Sequence, residues 1–285
     1  MKKDKTHIHW YPGHIAKAER KLKEQLSLVD AVIEVLDARM PLSSGYENIA
    51  GLLNDKPRLI LFNKSDLADK TELKKWAEYI ELKSGYPVLL TDAKNSKDLN
   101  SIVKKAVELS EPKIQALIKK GLLRRPARVM VVGMPNVGKS SIINKLTKSS
   151  KTKVGAKAGV TRQQQWVRIN PQLELLDTPG IIPMKQEDQV RAHKLAFVNS
   201  VSENAYSNET VAIELLGLLS EKYPQVIRDY YNLDGEISVE NIALSRNWII
   251  SGGQADIERT SVYILRDFRE GKIGKFMLDD LPVQD

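Results

Sequence analysis

The octapeptide Gly133-Met-Pro-Asn-Val-Gly-Lys-Ser140 has the residue types that hold the phosphate chain of a nucleotide. It matches the pattern G-x-x-x-x-G-K-[ST], whose glycines let backbone N–H groups close around phosphate oxygens at a helix N-terminus. Lys139 adds a cation for the β and γ phosphates, and the Ser140 hydroxyl is a ligand for Mg²⁺. We therefore expect a bound nucleotide with Mg²⁺, its phosphates held by Asn136, Val137, Gly138, Lys139, Ser140 and Ser141.

A second motif on the phosphate side, Asp177-Thr-Pro-Gly180, follows a strand-type run at 173–176. Downstream of a phosphate loop, an acidic residue in this place holds Mg²⁺ and the glycine N–H senses the γ-phosphate. A threonine hydroxyl from the intervening loop could also close onto the metal; Thr161 is our candidate and Thr152 competes with it. We predict Ser140, Thr161 and Asp177 as the metal ligands and Gly180 as a phosphate contact.

The tetrapeptide Asn63-Lys-Ser-Asp66 has the chemistry to read a purine ring. A carboxylate at Asp66 can accept hydrogen bonds from the N1–H and N2–H₂ groups of guanine, whereas adenine has no donor at N1. We expect Asn63 to reach the other edge of the base, the Lys64 stem to lie over the ring, and the Ala93 N–H to contact guanine O6. The sequence thus predicts GTP as the ligand, read by Asn63, Lys64, Asp66, Asp92, Ala93 and Lys94.

Apolar runs without alternation lead into these motifs, a pattern typical of strands buried on both faces of a parallel sheet. The runs span 30–37, 58–62, 86–91, 129–132 and 173–176, with a further strand at 165–169. Helical patterns at 71–83, 97–109 and 141–146 alternate with them. Since ligands bind at the carboxyl ends of such strands, one sheet edge can gather every motif. We predict an α/β fold: a P-loop GTPase domain with a mostly parallel sheet and helices on both faces.

The base-reading motifs precede the phosphate loop, which reverses the usual order and predicts a circular permutation. We predict three segments. Residues 1–28 form a basic N-terminal segment with a helix after Pro12-Gly13, and 29–183 form the GTPase domain. Residues 184–285, where long amphipathic stretches begin near Pro183, form a smaller all-α domain. A basic connector at 113–128 links the two halves of the sheet.

The composition limits the class of partner. Lys and Arg number 44 against 36 Asp and Glu, so the net charge of +8 favours a polyanion such as nucleic acid. The chain has no cysteine, which excludes disulfides and thiolate zinc sites, and only four histidines. Because no apolar run reaches the length of about 18 residues that a membrane span needs, we expect a cytoplasmic protein. We also expect a monomer, although the sequence leaves the oligomeric state open.

The chain resembles the circularly permuted GTPases of ribosome assembly in three features: the permuted order of its motifs, the segment Trp10-Tyr-Pro-Gly-His14 and the segment Asp177-Thr-Pro-Gly-Ile181. The resemblance covers nearly the whole chain. The resemblance implies a role in maturing the large ribosomal subunit, activation of hydrolysis by that particle, and a C-terminal helical domain that contacts ribosomal RNA. It also implies that His14 positions the attacking water. From the residues alone, His14 could equally be a packing residue at a helix start.

Ile181 stands where many small GTPases have a glutamine that orients water, and an isoleucine side chain cannot form a hydrogen bond. We therefore expect slow hydrolysis by the isolated protein. Asn136 resembles the asparagine of potassium-dependent GTPases, in which K⁺ supplies positive charge near the phosphates.

The predicted switch at 177–181 leads almost directly into the helical domain, so we expect GTP state to control binding to the pre-ribosomal particle. In that domain Arg259, Arg266 and Arg269 are candidate phosphate contacts. Two other readings stay open: a GTPase of transfer-RNA modification or translation, and a nucleotide-regulated RNA-binding scaffold with negligible turnover.

Overall fold

The structure, a computed structural model, describes residues 20–46, 49–54, 56–94, 98–149, 166–176, 180–181 and 188–282. The described residues up to 181 belong to one compact unit and those from 188 onward to a second. Three predicted site residues, His14, Thr161 and Asp177, lie outside the described residues, as does the competing Thr152. The predicted domain limits stay predictions.

A seven-stranded sheet forms the first unit. Its strands are β1 (Ala31–Asp37), β2 (Arg58–Asn63), β3 (Val88–Leu90), β4 (Ala127–Gly133), β5 (Trp166–Asn170), β6 (Leu173–Leu176) and β7 (Gly180–Ile181). Their order is β3-β2-β1-β4-β6-β5, with β7 also paired to β4. All pairs are parallel except β5 with β6. This arrangement confirms the predicted α/β fold with a mostly parallel sheet.

The two central strands of the base-reading half are buried along their whole length. Every residue of β1 and of β2 is buried, as the continuous apolar runs predict. In the parallel register of this pair, Leu36 lies opposite Phe62 and Asp37 opposite Asn63. The polar residues that end the two strands therefore meet at the same edge of the sheet.

Five helices accompany the sheet: α1 (20–26 within the described residues), α2 (Ile49–Leu52), α3 (Lys70–Ser84), α4 (Leu99–Lys119) and α5 (Lys139–Ser149). The limits of α3 follow from its ends. The Asp69 side chain accepts hydrogen bonds from the N–H groups of Thr71 and Glu72, and Gly85 stops the helix in the left-handed conformation at φ 70°. These limits lie within one residue of the predicted 71–83.

Helix α4 corrects the prediction of a basic connector at 113–128, because it continues through Pro112 to Lys119. Its buried residues include Ile102, Ala106, Ser110 and Ile114, spaced four apart. This stripe packs against the sheet on both sides of the proline, so burial outweighs the backbone hydrogen bond that a proline removes.

In residues 188–282, which the structure describes, the second unit has five α-helices, a short 3-10 helix (Glu203–Ala205) and short connections. The α-helices are α6 (Gln189–Phe197), α7 (Asn208–Lys222), α8 (Pro224–Tyr231), α9 (Val239–Ser245) and α10 (Ile257–Glu270). Helical structure is confirmed, but the helices are shorter than the long stretches predicted. Pro224 starts a new helix, and Asn232 and Gly271 end helices in left-handed conformations. Among the described residues, no helix is long and apolar enough to cross a membrane.

Candidate functional site

The predicted phosphate loop joins β4 to α5, at the carboxyl edge of the sheet. Gly133 has φ 151° and Gly138 has φ 103°, conformations that side chains rarely adopt. A Cβ at Gly133 would collide with the Val35 carbonyl oxygen, and one at Gly138 with the Asn63 amide. The two glycines therefore let this loop lie directly against β1 and the end of β2.

Lys139, the first residue of α5, carries a buried cation. The residue is 7% exposed, and its Nζ donates to the Met134 carbonyl at 2.5 Å. Burial lowers the pKa of Lys139 to about 8. Within the described residues no carboxylate pairs with it, so its charge is available to an anion inside the loop.

Ser140 and Ser141 follow Lys139 in the first turn of α5, and both are exposed. The first N–H groups of a helix have no partner within the helix, and they carry the positive end of its dipole. No described residue hydrogen-bonds to the Ser140 hydroxyl. An oxygen free beside a phosphate-type loop suits the hard, oxygen-seeking Mg²⁺ ion, so this end of the site fits the predicted metal.

Asn63 joins three parts of the site. Its Nδ2 donates to the Val137 carbonyl in the phosphate loop at 2.7 Å, and its Oδ1 accepts from the Ala93 N–H at 3.0 Å. The side chain is 1% exposed. Both ends of the amide are bonded to backbone, so Asn63 fixes the loops in place. Its predicted contact with the base stays a prediction.

One of these bonds engages the Ala93 N–H, which donates to Asn63. The predicted contact of this N–H with guanine O6 stays a prediction. Asp92 shapes this loop, because its Oδ1 accepts from the Lys94 N–H at 2.8 Å. The Lys94 carbonyl in turn accepts from Lys145 Nζ on α5 at 2.8 Å, which ties the loop to the helix that follows the phosphate loop.

Asp66 retains an acceptor that no described group uses. Its Oδ1 is buried and has no hydrogen-bond partner among the described residues, while Oδ2 accepts from Lys94 Nζ at 3.4 Å. A buried carboxylate oxygen without a donor costs free energy, which a ligand donor can recover. This is the property that a filter for the N1–H and N2–H₂ edge of guanine requires.

The sequence analysis did not predict a buried ion cluster that includes Lys64. Asp37 at the end of β1 accepts from Arg39 Nε and Nη2, each at 2.9 Å, and from Lys64 Nζ at 2.9 Å. Lys64 itself has a left-handed backbone at φ 61°. One signal could have revealed the cluster, since Asp37 follows a buried strand just as Asn63 does.

The cluster fixes the charge states of its members. Burial alone would raise the pKa of Asp37, but the cations of Arg39 and Lys64 outweigh it and hold that pKa below its ordinary value. The pKa of Lys64 is lowered, chiefly by burial. Asp37 thus stays ionised and holds the Lys64 side chain in one place.

Gly180 lies beside the phosphate loop. In strand β7 it pairs with Val132, and Ile181 pairs with Gly133. The structure therefore brings together the backbone of Gly180, the phosphate loop with Lys139, and the base-side residues linked through Asn63. The described residues leave a buried cation, the first N–H groups of α5 and one carboxylate oxygen of Asp66 open to a ligand, and this combination suits a purine nucleotide with several phosphates.

Comparisons with known proteins agree with this geometry. A family model described as 50S ribosome-binding GTPase matches residues 128–228. Ribosome biogenesis GTPase A of Bacillus licheniformis is 40% identical over 273 residues, which cover 94% of this chain and 96% of that protein. The protein of the same name from Thermotoga maritima is 33% identical over 283 residues, covering 97% of each.

Solved structures give the same result. The GNP-bound crystal structure of YlqF from T. maritima matches with a TM-score of 0.63 and 29% identity, over 92% of this chain and 97% of that one. The GDP-bound structure of TM YlqF matches with a TM-score of 0.64 and 29% identity, over 91% and 98%. The chain therefore belongs to the ribosome biogenesis GTPase A family and is a GTP-hydrolysing enzyme with a circularly permuted P-loop domain.

Proposed function

We propose that this GTPase is an assembly factor for the large ribosomal subunit. In this proposal GTP state controls its binding to the precursor particle, and the particle stimulates hydrolysis. The observation that carries the proposal is the extent of the similarity. The matches to proteins named ribosome biogenesis GTPase A cover 94–97% of the chain and therefore include the helical unit as well as the nucleotide site.

The helical unit offers a surface suited to RNA, which we call the arginine–aromatic surface: Trp248, Arg259, Tyr263 and Arg266. The last three residues share one face of α10 because they lie four and three positions apart. The Arg259 guanidinium lies 5.5 Å from the Trp248 ring centroid, and that of Arg266 lies 4.2 Å from the Tyr263 centroid. Both arginines are exposed. Guanidinium groups bind phosphates and aromatic rings stack on unpaired bases, so the set supports an RNA contact.

Arg269, also expected to reach phosphate, does not belong to this surface. Its guanidinium donates to the carbonyls of Phe197 and Ala196, at 3.0 and 2.9 Å, and to the Tyr206 hydroxyl at 2.9 Å. It also pairs with Glu203 at 3.1 Å. These bonds hold α10 to α6, so we assign Arg269 to the stability of the helical unit.

The proposed mechanism assigns a role to each end of the nucleotide site. Asp66 accepts the donors of guanine, while Lys139 and the first N–H groups of α5 neutralise charge on the phosphates. Ser140, with Asp177 and Thr161, holds Mg²⁺, which when bound offsets negative charge on the phosphate oxygens. Asn136 is the residue through which K⁺ could act. Since Ile181 cannot orient water, another group, for which we propose His14, has to do so.

Nucleotide control is tested by measuring affinity for purified precursors of the large subunit with GDP and with a non-hydrolysable GTP analogue. We expect tighter binding with the GTP analogue. The Asp66→Asn variant provides an internal control, since its particle binding should respond to the corresponding xanthosine analogue instead. Equal affinity with GDP and the GTP analogue would refute control by nucleotide state.

Stimulation is tested by phosphate release with and without the particle. We expect slow release by the protein alone and faster release with precursors of the large subunit. The His14→Ala variant should lose the stimulation while keeping its GTP affinity, because the histidine acts on water and not on the base. Unchanged stimulated turnover in that variant would remove His14 from the mechanism.

A further inference from the structure

A groove between α6 and α7 lies in the helical unit, on a set of residues that the proposed RNA contact does not use. It encloses about 440 Å³. One wall carries Val190, which is 69% exposed, and the other carries Ile213, which is 53% exposed. Exposed aliphatic side chains on two facing walls are typical of a surface that another molecule covers.

The charges of the groove are negative, in contrast to the net charge of +8 for the chain. Glu214 and Glu221 line it, both are exposed, and among the described residues neither pairs with a cation. They lie seven positions apart on α7, about two turns, and so share one face. The lysine of the groove, Lys194, is already bound to Asp279 at 3.0 Å. Such a surface repels phosphate and attracts lysine and arginine side chains.

Gly217 lies between the two glutamates in the middle of α7. It is exposed, and a Cβ built there would meet nothing within 4 Å. A glycine inside a helix is less favourable than alanine, so the fold gains nothing from it locally. Because Gly217 has no side chain, the backbone of another molecule can approach α7 closely at this position. His193, which also lines the groove, has a buried Nε2 to which no described residue hydrogen-bonds.

We propose that the α6–α7 groove docks an amphipathic segment of a basic protein. Apolar side chains of this segment enter between Val190 and Ile213, and its lysines or arginines pair with Glu214 and Glu221. The inference rests on the proposed function, because a protein of the ribosomal particle that itself binds RNA carries the required lysines and arginines. The helical unit then contacts the particle twice, through RNA on the arginine–aromatic surface and through protein in the groove.

The first test reverses charge in the full-length protein and measures its affinity for purified precursors of the large subunit. The groove variant is Glu214→Lys with Glu221→Lys. The control, Glu236→Lys with Glu240→Lys, changes two exposed glutamates outside the groove and adds the same positive charge. We expect the groove variant to bind at least about 10-fold more weakly, since it loses two ion pairs and gains repulsion. The control should bind as the wild type or more tightly.

The second test fills the groove by Gly217→Leu. Because space is open at this position and leucine favours a helix, the variant should unfold at the same temperature as the wild type or higher. It should nevertheless bind the particle more weakly. A stable variant with undiminished affinity would contradict docking in the groove.

The third test places a photoreactive amino acid at position 213 of the full-length protein and irradiates the complex with purified particles. A crosslink to a basic ribosomal protein, digested by protease and identified by mass spectrometry, supports the proposal. A crosslink to RNA, or no crosslink while a probe at position 259 reacts, overturns it. If the wild type binds no particle, the proposed function fails and the docking with it; if the wild type binds and the groove reversal binds equally, only the docking fails.

Discussion

Two charged residues, Asp66 and Lys139, define the site at the scale of single residues. In the part of the chain that the structure describes, Lys139 is a buried cation with only a carbonyl partner, and Asp66 has a buried oxygen with none. A folded protein normally satisfies such groups, and leaving them open makes the nucleotide-free state less stable. Binding energy for GTP is therefore concentrated in groups for which the described residues offer no alternative partner.

Replacing Asp66 with Asn should change which base is bound. The amide nitrogen cannot accept from the guanine amino group, so we expect GTP affinity to fall about 100-fold, as for the loss of charge-assisted hydrogen bonds. Xanthine has a carbonyl at that ring position, to which the amide can donate, so the variant should prefer XTP. Calorimetric titration with both nucleotides measures the change, and Asp234→Asn, an exposed aspartate outside the site, is the control. A variant that still prefers GTP would show that Asp66 does not read the base.

Replacing Lys139 with Met should stabilise the nucleotide-free protein at pH 7 and abolish its stabilisation by GTP. Burial lowers the pKa of Lys139 to about 8, below the value of about 10.4 for an unfolded chain. Between these pH values the unfolded state binds more protons, so the free energy of unfolding of the wild type rises with pH. The advantage of the variant should therefore shrink above about pH 8.

Thermal unfolding between pH 7 and 10, with and without GTP, tests this expectation. Lys148→Met changes an exposed lysine of the same helix and should show neither effect. A Lys139→Met protein that is less stable than the wild type at pH 7 would mean that the lysine supports the fold.

Residue types were predictable from the sequence, but their partners were not. Motif spacing identified Asp66 and Lys139 because chemistry limits which side chains can do their work. It placed Asn63 and Ala93 at the base, but it did not predict the hydrogen bond between them. That bond depends on how the ends of two strands and a loop are placed relative to one another. A single segment of the chain does not contain that information.

At the scale of elements, the site is the meeting point of strand ends that are far apart in the chain. Asn63 at the end of β2 bonds to Val137, 74 residues later, and to Ala93 after β3. Lys145 of α5 bonds back to the loop after β3. Because these links run through the sheet edge, the permuted order of the elements does not disturb the site.

Replacing Asn63 with Ala should weaken both folding and binding. It leaves the Val137 carbonyl and the Ala93 N–H without the partner they have here, and each lost buried bond costs about 1–3 kcal/mol. We expect a clear fall in the free energy of unfolding, and weaker GTP binding because the loops around the nucleotide are held less firmly.

Chemical denaturation and nucleotide titration measure the two effects. Asn144→Ala, at an exposed position on α5, is the matched control and should change neither. If Asn63→Ala lowers GTP affinity without any loss of stability, the side chain touches the nucleotide after all, as the sequence suggested.

Elements were predictable where burial leaves a direct pattern. Continuous apolar runs gave β1 and β2 within one residue, since strands buried on both faces need no alternation. The end of α4 was missed because Pro112 reads as a breaker, and only packing against the sheet carries the helix past it. The breaks between α6 and α10 depend on local turns that amphipathic periodicity does not reveal.

At the scale of the whole molecule, a net charge of +8 attracts any polyanion, and a specific contact has to be distinguished from that general attraction. Long-range attraction depends on the charge of the whole surface, wherever the charged residues lie. A bound phosphate contact releases counterions and so contributes to the salt dependence of affinity. Stacking of bases on aromatic rings contributes affinity without that salt dependence. Salt titration therefore separates these three contributions.

Arg259→Ala with Arg266→Ala should lower the slope of log affinity against log salt by about 1.4 to 1.8, the value for two lost phosphate contacts. Trp248→Ala should weaken binding and leave the slope unchanged, because the ring carries no charge. The matched control, Lys70→Ala with Lys74→Ala, removes the same charge from exposed positions on α3. The test measures the affinity of each variant for purified precursors of the large subunit across a series of salt concentrations. If the control lowers the slope as much as the arginine pair does, the particle senses net charge, and the arginine–aromatic surface is not its RNA contact.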